Sequence, residues 1–413
     1  MRFNWVTLVC MALLFSLIGN EAVYGATAFP LVNVLGKLGP FVIMSVLLLR
    51  SKKSVVDPFA LGALYFLTYV LANRILTIVL GLETYGVAPW HMYINFATCI
   101  MLYIAVSSCN RDQVKVLVEK TMQMLAVSGG LYGLISLIGI FDGRFEGYPM
   151  RFLSLIPSLY YLASYLVGQR NRKTFFLLSV SVFPLISILY KPAILSFAVG
   201  AGVVFLLSLL QKKYSFAVLG KGVAIATAIF ISLQGLNYFT GGKLFNQIVS
   251  IVEYQFFHKR ELEAGILNSP FEAFLGGRFD LWQTAWERIQ SNPFRGYGFY
   301  QLSVERVGSY TSVTIPFHNG YLDILLSVGI LGVLFLVPIL FVGLTWLTYL
   351  IKNGQTGERV FAIGTTGAFA SLLFYNMGGT SVLFYTINLA VWVFLGCLKV
   401  FGSASVRVDS SYD

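Results

Sequence analysis

Residues 276–332 read GGRFDLWQTAWERIQSNPFRGYGFYQLSVERVGSYTSVTIPFHNGYLDILLSVGILG, and the rest of the chain is organised around this stretch. It holds the densest set of charged and aromatic residues in a chain that is otherwise mostly apolar. An amphipathic segment leads to the turn Gly296-Tyr297-Gly298, and His318-Asn319 then stands at the start of an apolar run. A polar stretch between apolar runs is where an integral membrane protein keeps its chemistry, because charged groups belong at the water-facing surface.

The composition is that of a membrane protein. Of the 413 residues, 57% are hydrophobic and 11% are charged, whereas soluble domains carry about 25% charged residues. Apolar runs that approach the roughly 20 residues of a transmembrane helix recur from end to end. They lack the alternating polarity of membrane barrel strands. The net charge of +11 comes from short basic clusters between the runs, which the positive-inside rule explains without any nucleic-acid partner. The sequence therefore predicts an all-α integral membrane protein.

Metal and nucleotide chemistry have little support in the sequence. The three histidines are scattered along the chain, as are the four cysteines, so neither a metal cluster nor a disulfide framework is indicated. Neither a phosphate-binding P-loop nor an Asp-x-Asp pair occurs. We therefore expect no metal and no cofactor, and a nucleotide-driven pump is disfavoured.

About twelve transmembrane helices are predicted, and the first one resembles a signal peptide that we expect to be retained because another span follows it. The expected spans are 5–18, 31–49, 58–82, 91–108, 121–141, 152–168, 174–190, 192–210, 215–239, 319–350, 360–378 and 381–400. With the N-terminus inside, every inward connection carries lysine or arginine clusters, as the positive-inside rule requires. Those clusters are 50–53, 111–120, 170–173, 212–213 and 352–359.

The same count divides the chain into four parts. Residues 1–239 hold nine transmembrane helices, 240–318 form one large periplasmic loop with short amphipathic helices, 319–400 hold three more helices, and 401–413 form a cytoplasmic tail. A loop as long as 240–318 with structure of its own is usually functional.

The amphipathic part of this loop begins next to Arg278. Apolar residues at 281, 282, 285, 286 and 289 follow a spacing of three and four, which predicts a helix that Asn292-Pro293 ends. Its two tryptophans suit a helix in the lipid headgroup plane. Arg278 would project on that side, where a guanidinium can hold a phosphate or pyrophosphate with two parallel hydrogen bonds. A simple anchor for anionic lipid is the alternative interpretation.

His318 and Asn319 mark the outer end of the next membrane helix. Asn319 suits the N-cap position, where its side chain accepts hydrogen bonds from free backbone amides. The positive end of the helix dipole disfavours a charged imidazole at His318, and a neutral imidazole can take a proton from an attacking hydroxyl. A histidine that only bonds loop backbone is the alternative.

Other cations stand at or near membrane depth. Arg74, next to Asn73, falls inside the third span, and Lys191 stands between the seventh and eighth. Ionisable groups at such places commonly line a site or pathway, although long side chains can also reach the membrane surface. Arg151, in the outward loop 142–151, is a further candidate, with a solvated loop charge as the simpler interpretation.

Three pieces in the same order resemble the O-antigen ligase and Wzy polymerase family of bacterial membrane glycosyltransferases. They are Gly-Arg-x-x-x-Trp-x-x-Ala at 277–285, Asn-Pro-x-x-Gly-x-Gly at 292–298, and His-Asn followed by Gly-x-x-Gly at 318–332. The helix count and the single large outward loop match as well. The resemblance implies a GT-C-like fold.

The resemblance also implies a reaction. A glycan on undecaprenyl pyrophosphate is passed to an acceptor sugar hydroxyl without a metal ion, so cationic side chains must stabilise the leaving pyrophosphate. It assigns Arg278 to the pyrophosphate and His318 to the acceptor. Where the family often carries Ser-Arg, this chain has Tyr190-Lys191; Lys191 keeps the positive charge but loses the two-pronged geometry. Arg295, inside the second piece, is a further site candidate.

We therefore expect a polysaccharide polymerase in the bacterial inner membrane with its active site facing the periplasm. An O-antigen ligase, which transfers the glycan to lipid A-core, is the alternative with the same chemistry. A flippase for the lipid-linked glycan is the alternative from another class, although the chain lacks the internal repeat that transporters often show. The expected partners are the lipid-linked oligosaccharide, an acceptor glycan or lipid A-core, membrane lipid and a chain-length regulator.

Overall fold

A computed structural model gives the fold of the chain. It describes residues 8–13, 38–46, 48, 57–80, 90–142, 154–168, 171–187, 191–211, 220, 279–298, 303–304, 313–314, 319–377 and 387–409. Two short helical segments, 8–13 and 38–46, precede the longer elements.

The described chain is helical apart from one pair of two-residue strands. The elements are α1 Pro58–Val79, α2 Trp90–Ser107, α3 Arg111–Asp142, α4 Leu155–Val167, α5 Arg172–Ser187, α6 Lys191–Leu210, α7 Phe279–Ser291, β1 Ser303–Val304, β2 Val313–Thr314, α8 Gly320–Asn353, α9 Thr356–Tyr375 and α10 Ile387–Asp409. The strands pair antiparallel, with Ser303 opposite Thr314. This ribbon lies in the segment 240–318, for which the sequence predicted a large loop with short amphipathic helices and did not predict strands.

The helices are compatible with a membrane protein. Within the described residues, three stretches are long and apolar enough to cross a membrane: Pro58–Val79, Ala193–Leu210 and Gly320–Asn353. Large apolar side chains on α8 point outward, and Phe341 is 66% exposed, as expected of a surface that faces lipid. Every described helix except α7 overlaps a predicted span. The number of about twelve crossings and the periplasmic side of 240–318 stay predictions.

Two predicted boundaries differ from the structure. Residues 111–120 were expected as an inward loop, but α3 already begins at Arg111. The reason is an apolar face at helical spacing in this basic segment, since Val114, Leu117 and Val118 are buried. At the other end, α10 continues to Asp409, nine residues into the predicted tail 401–413.

The core of the protein is formed by helices that pack closely against one another. Helix α9 packs against α6 and α4, while α10 packs against α2. A Cβ atom on Gly200 would lie 2.6 Å from the carbonyl oxygen of Gly367, so only glycine allows α6 and α9 this approach. At the same crossing, the Ser371 hydroxyl donates to the Ser196 carbonyl at 2.6 Å. Small residues and interhelical hydrogen bonds are the usual means of packing helices in lipid.

A buried ion pair ties the start of α3 to the start of α9. Arg111 donates to both carboxylate oxygens of Glu358, at 2.5 and 2.7 Å. Glu358 is 2% exposed and also accepts from the backbone amide of Gln355 at 3.1 Å. The bidentate bond with Glu358 raises the pKa of Arg111 above its ordinary value. Both helices are therefore fixed at the end of the bundle that carries the basic clusters.

Replacing Glu358 with glutamine should lower the free energy of unfolding by at most about 3 kcal/mol. This value is at the lower end of the range for breaking a buried ion pair, because the Arg111 side chain is 30% exposed and water can hydrate it. Denaturant titration of the purified protein in detergent measures the change. The matched control is Glu119→Gln at the same end, where the pair with Lys173 is exposed and should contribute less than about 1 kcal/mol. Equal losses in both variants would contradict the structural role of Glu358.

Candidate functional site

The predicted site residues fall into two groups. Arg278, His318 and Arg151 lie outside the described residues, and Lys191 is described only as the first backbone position of α6. The side chains of Arg74, Arg295 and Asn319 are described. The geometry of the site therefore comes from the segments that directly follow Arg278 and His318, together with these three side chains.

Helix α7 follows Arg278 and has the predicted amphipathic form. It runs from Phe279 to Ser291, and Asn292 follows its last residue as the sequence indicated. Leu281, Ala285 and Ile289 form its buried face. Trp286 is 50% exposed and stands away from that face. The apolar residues of α7 therefore point in two directions. Leu281, Ala285 and Ile289 pack on protein, whereas Trp286 is exposed.

The helix that follows Arg278 packs directly on the helix that follows His318. Leu281, Ala285 and Ile289 of α7 form one cluster with Leu326 of α8, and neighbouring side chains extend it. Those neighbours are Trp282, Tyr297, Leu322 and Leu325. The amphipathic spacing of residues 281–289 therefore serves to hold α7 against the first two turns of α8.

Helix α8 is broken where α7 and its following turn lie against it. Gly329 adopts φ 62° and ψ −175°, which is not a helical conformation. In an unbroken helix, the amides of Ile330 and Leu331 would donate to the carbonyls of Leu326 and Ser327, four residues earlier. Backbone groups left without partners in lipid cost several kcal/mol each. Such a break needs replacement partners.

The turn at 292–298 supplies those partners. Its carbonyls accept from the two amides released by the break, and its amides donate to the two released carbonyls. The bonds are Ile330 N to Pro293 O (2.9 Å), Leu331 N to Phe294 O (3.0 Å), Tyr297 N to Leu326 O (3.0 Å) and Gly298 N to Ser327 O (2.7 Å). Four intersegment bonds thus replace two helical ones, and we call residues 292–298 the docking turn.

The Asn-Pro-x-x-Gly-x-Gly pattern follows from this geometry. Asn292 closes the docking turn, because its Nδ2 donates to the Gly296 carbonyl at 2.7 Å. Gly296 and Gly298 have φ of 70° and 80°, a region that side chains disfavour. A Cβ atom on Gly296 would lie 2.5 Å from the Gly329 nitrogen. Glycines in the docking turn and at position 329 of α8 therefore let the two backbones come into contact without intervening side chains.

Side chains of helix α1 contact the docking turn. The Tyr69 hydroxyl is within hydrogen-bond distance of two carbonyl oxygens, Arg295 at 3.2 Å and Val328 at 3.0 Å. Asn73 donates its side-chain amide to the same Arg295 carbonyl at 2.5 Å. The polar side chains of Tyr69 and Asn73 on α1 therefore connect the docking turn to the break in α8. Sequence reasoning assigned no role to Tyr69 or Asn73; a polar residue at membrane depth was their only indication.

Arg74 and Arg295 both belong to this junction. Arg74 is fully buried, at 0% exposure, so the interpretation that it reaches the membrane surface is wrong. A Cβ atom on Gly298 would lie 2.8 Å from the Arg74 Cβ, which shows how closely the turn covers α1 there. The Arg295 Nε is buried and has no hydrogen-bond partner among the described residues. Two of the predicted cations are thus brought to one junction.

Asn319 has the predicted capping role. Its Oδ1 accepts from the amides of Tyr321 at 3.1 Å and Leu322 at 3.2 Å. The Gly320 amide donates to the Asn376 carbonyl at 2.7 Å, which ties the start of α8 to the end of α9. Asn319 therefore fixes the helix end beside His318.

Replacing Asn73 with alanine should lower the free energy of unfolding by about 1 kcal/mol, because the Arg295 carbonyl keeps its bond from Tyr69. The glycan transfer that the sequence leads us to expect should fall by a larger factor than this loss of stability implies, since the docking turn becomes looser. Denaturant titration and product analysis on the same preparation measure both. Thr68→Ala on the exposed face of α1, which removes a bond within that helix, is the control; matching effects would leave Asn73 without a positioning role.

The junction offers cationic groups and a capped helix end. In the portion of the chain whose placement is described, no group of three or more His, Cys, Asp or Glu residues could hold a metal ion. Arginine side chains are suited to an anionic group such as a phosphate.

A comparison with known protein families finds a match that includes this region. A family model described as O-antigen ligase matches residues 174–337, which include α7, the docking turn and the break in α8. No curated protein matches the chain. The family consists of glycosyltransferase-like integral membrane enzymes. The matched region contains the three sequence pieces that carried the resemblance, and the chain therefore carries a domain of the O-antigen ligase family at residues 174–337.

Proposed function

We propose that the protein is a polysaccharide polymerase that transfers a glycan from undecaprenyl pyrophosphate to the hydroxyl of an acceptor sugar. In this proposal the chain crosses the bacterial inner membrane about twelve times, and its active site faces the periplasm. The observation that carries the proposal is the packing of α7 on α8 across the docking turn. Through this contact, the helices that begin next to Arg278 and His318 share one junction with Arg74 and Arg295.

The proposed reaction is a single displacement at the anomeric carbon. The acceptor oxygen forms a bond to this carbon, the bond from the carbon to the pyrophosphate oxygen breaks, and undecaprenyl pyrophosphate leaves. His318 accepts the proton of the attacking hydroxyl. Arg278 and Lys191 stabilise the charge that develops on the pyrophosphate, so that side chains perform the role a metal ion has in other transferases. The energy comes from the pyrophosphate ester of the donor.

Replacing Arg278 with lysine should lower the transfer rate about tenfold or more, because an ammonium cannot make the two parallel bonds of a guanidinium. The rate is measured with purified protein and a lipid-linked oligosaccharide. Arg288→Lys on the exposed face of α7 is the matched control and should retain the wild-type rate. A wild-type rate for Arg278→Lys would leave Arg278 as an anchor for lipid.

An O-antigen ligase is the second candidate, because the description of the matching family names this activity. The two functions differ in the acceptor and can be separated by the glycan profile of a deletion strain. Single repeat units on lipid A-core would indicate that a polymerase has been lost. Long chains that accumulate on the carrier lipid would indicate the loss of a ligase, and an unchanged profile would contradict both functions.

A further inference from the structure

A second polar site lies at the opposite end of the bundle. The cavity has a volume of about 440 Å³ and is enclosed mainly by α3, α4, α5 and α9. Glu358 lies beside it and Asn376 follows the far end of α9; at 1.5 Å per residue, 18 residues of helix separate them by about 27 Å. This distance is close to the thickness of the hydrocarbon core. The cavity is therefore independent of the docking turn and of the proposed transfer reaction.

Two helix N-termini adjoin the cavity. Asn171 caps α5 by accepting from the Thr174 amide at 2.7 Å, and Gly357 stands in the first turn of α9. The first amides of a helix have no partner within the helix, and the dipole makes this end positive. A Cβ atom on Gly357 would meet nothing within 4 Å, so the backbone there faces open space. Both features favour an anionic group.

A buried hydroxyl supplies an independent indication of a ligand. Tyr161 of α4 lines the cavity and is only 5% exposed. Its hydroxyl makes no hydrogen bond to any residue that the structure describes. A buried polar group without a partner costs about 1–3 kcal/mol. A ligand oxygen in the cavity would remove this cost.

The charges of the cavity suit a group with one negative charge. Glu358 is neutralised by Arg111, which leaves Lys115, Lys173 and Glu119 on the lining. Lys173 pairs with Glu119 at 3.2 Å, so Lys115 supplies the net positive charge of the lining. Its only ion-pair contact among the described residues is the Asp112 carboxylate at 3.9 Å, which is 93% exposed and contributes little in water. A phosphate diester carries one negative charge.

The rest of the lining is apolar. Leu177 and Phe361 are both largely buried and form part of the wall next to the charged groups. A free ion would leave this surface unused, whereas an amphiphile contacts both kinds of wall. The cavity is also larger than a single phosphate requires.

We propose that this cavity binds the phosphate headgroup of a membrane phospholipid from the leaflet on the side of the basic clusters. The phosphate lies between Lys115 and the two helix N-termini, and the Tyr161 hydroxyl donates to one of its ester oxygens. The lipid fills the space between α5 and α9 and stabilises their contact with α3.

Native mass spectrometry after repeated detergent washing tests the proposal. The wild-type protein and the control Gly357→Ala should each retain one phospholipid, because alanine adds only a methyl group in open space. Gly357→Leu should reduce the retained lipid at least about tenfold, because leucine extends into the cavity without touching the backbone. Lys115→Ala should weaken retention in the same direction. Equal retention by all four proteins, or none by the wild type, would overturn the proposal.

A second arm separates a lipid from a soluble phosphate compound. Thermal unfolding is followed with added phosphatidylglycerol, with sn-glycerol 3-phosphate and with inorganic phosphate, for the wild type and for Gly357→Leu. Of the three compounds, only the phospholipid should raise the unfolding temperature of the wild type. It should have little effect on Gly357→Leu. Stabilisation by a soluble phosphate to the same extent would overturn the lipid assignment.

Discussion

Replacing His318 with alanine is expected to abolish glycan transfer, while the protein still inserts and folds. General-base catalysis contributes about 10²–10⁴-fold, and in the proposed reaction no other histidine replaces it. The fold should survive because Asn319, and not His318, caps α8. Polymer on the cell surface, detected in a deletion strain that carries the variant, measures the effect.

The control for this experiment is His258→Ala. His258 lies in the same long segment, 240–318, and has no role in the proposed reaction. It should retain normal polymer and normal chain length. Polymer formation by His318→Ala at a near-normal level would remove His318 from the reaction and leave it as a residue that bonds loop backbone.

Replacing Gly296 with alanine should have the second large effect, because it separates the docking turn from α8. The new methyl group would lie 2.5 Å from the Gly329 nitrogen and 2.8 Å from the Leu326 carbonyl oxygen. Both are backbone atoms that cannot rotate away. A side chain at φ 70° adds about 1–2 kcal/mol of strain. The four backbone bonds that close the break would be lost together, at about 1 kcal/mol each.

The expected result is a loss of at least about 3 kcal/mol in the free energy of unfolding, together with a loss of transfer. Protease cleavage within 292–298 should become faster, since the turn is no longer held. Gly62→Ala on α1, where a Cβ atom meets nothing within 4 Å, is the matched control. A Gly296→Ala protein with wild-type stability and slow cleavage would show that the turn is not docked as described.

Local patterns were sufficient to predict the helices near the site. The three-and-four spacing of residues 281–289 predicted α7, Asn292-Pro293 predicted its end, and the Asn319 cap predicted the start of α8. Each of these features depends on neighbours within about one helical turn. At 111–120 the basic residues predicted a connection outside the membrane, and the structure shows that the helix already begins at Arg111.

Long-range pairing could not be predicted in this way. Nothing in the run from Gly320 to Asn353 indicates that Gly329 interrupts the helix, because glycines are common within membrane helices. The partners that make the break stable are about 30 residues away in the docking turn and more than 200 residues away at Tyr69 and Asn73. Asn73 and Arg74, a polar pair at membrane depth, indicated that α1 had a function. Only the fold shows which residues this part of α1 contacts.

Formation of a glycosidic bond with release of the carrier lipid can be measured directly in proteoliposomes. Purified protein is reconstituted with a radiolabelled undecaprenyl-pyrophosphate oligosaccharide, and the products are separated into glycan and lipid. We expect longer glycans and an equal molar amount of free undecaprenyl pyrophosphate from the wild type, and neither product from His318→Ala. Intact donor that crosses the bilayer without a new glycosidic bond would instead identify a transporter and contradict the proposed reaction.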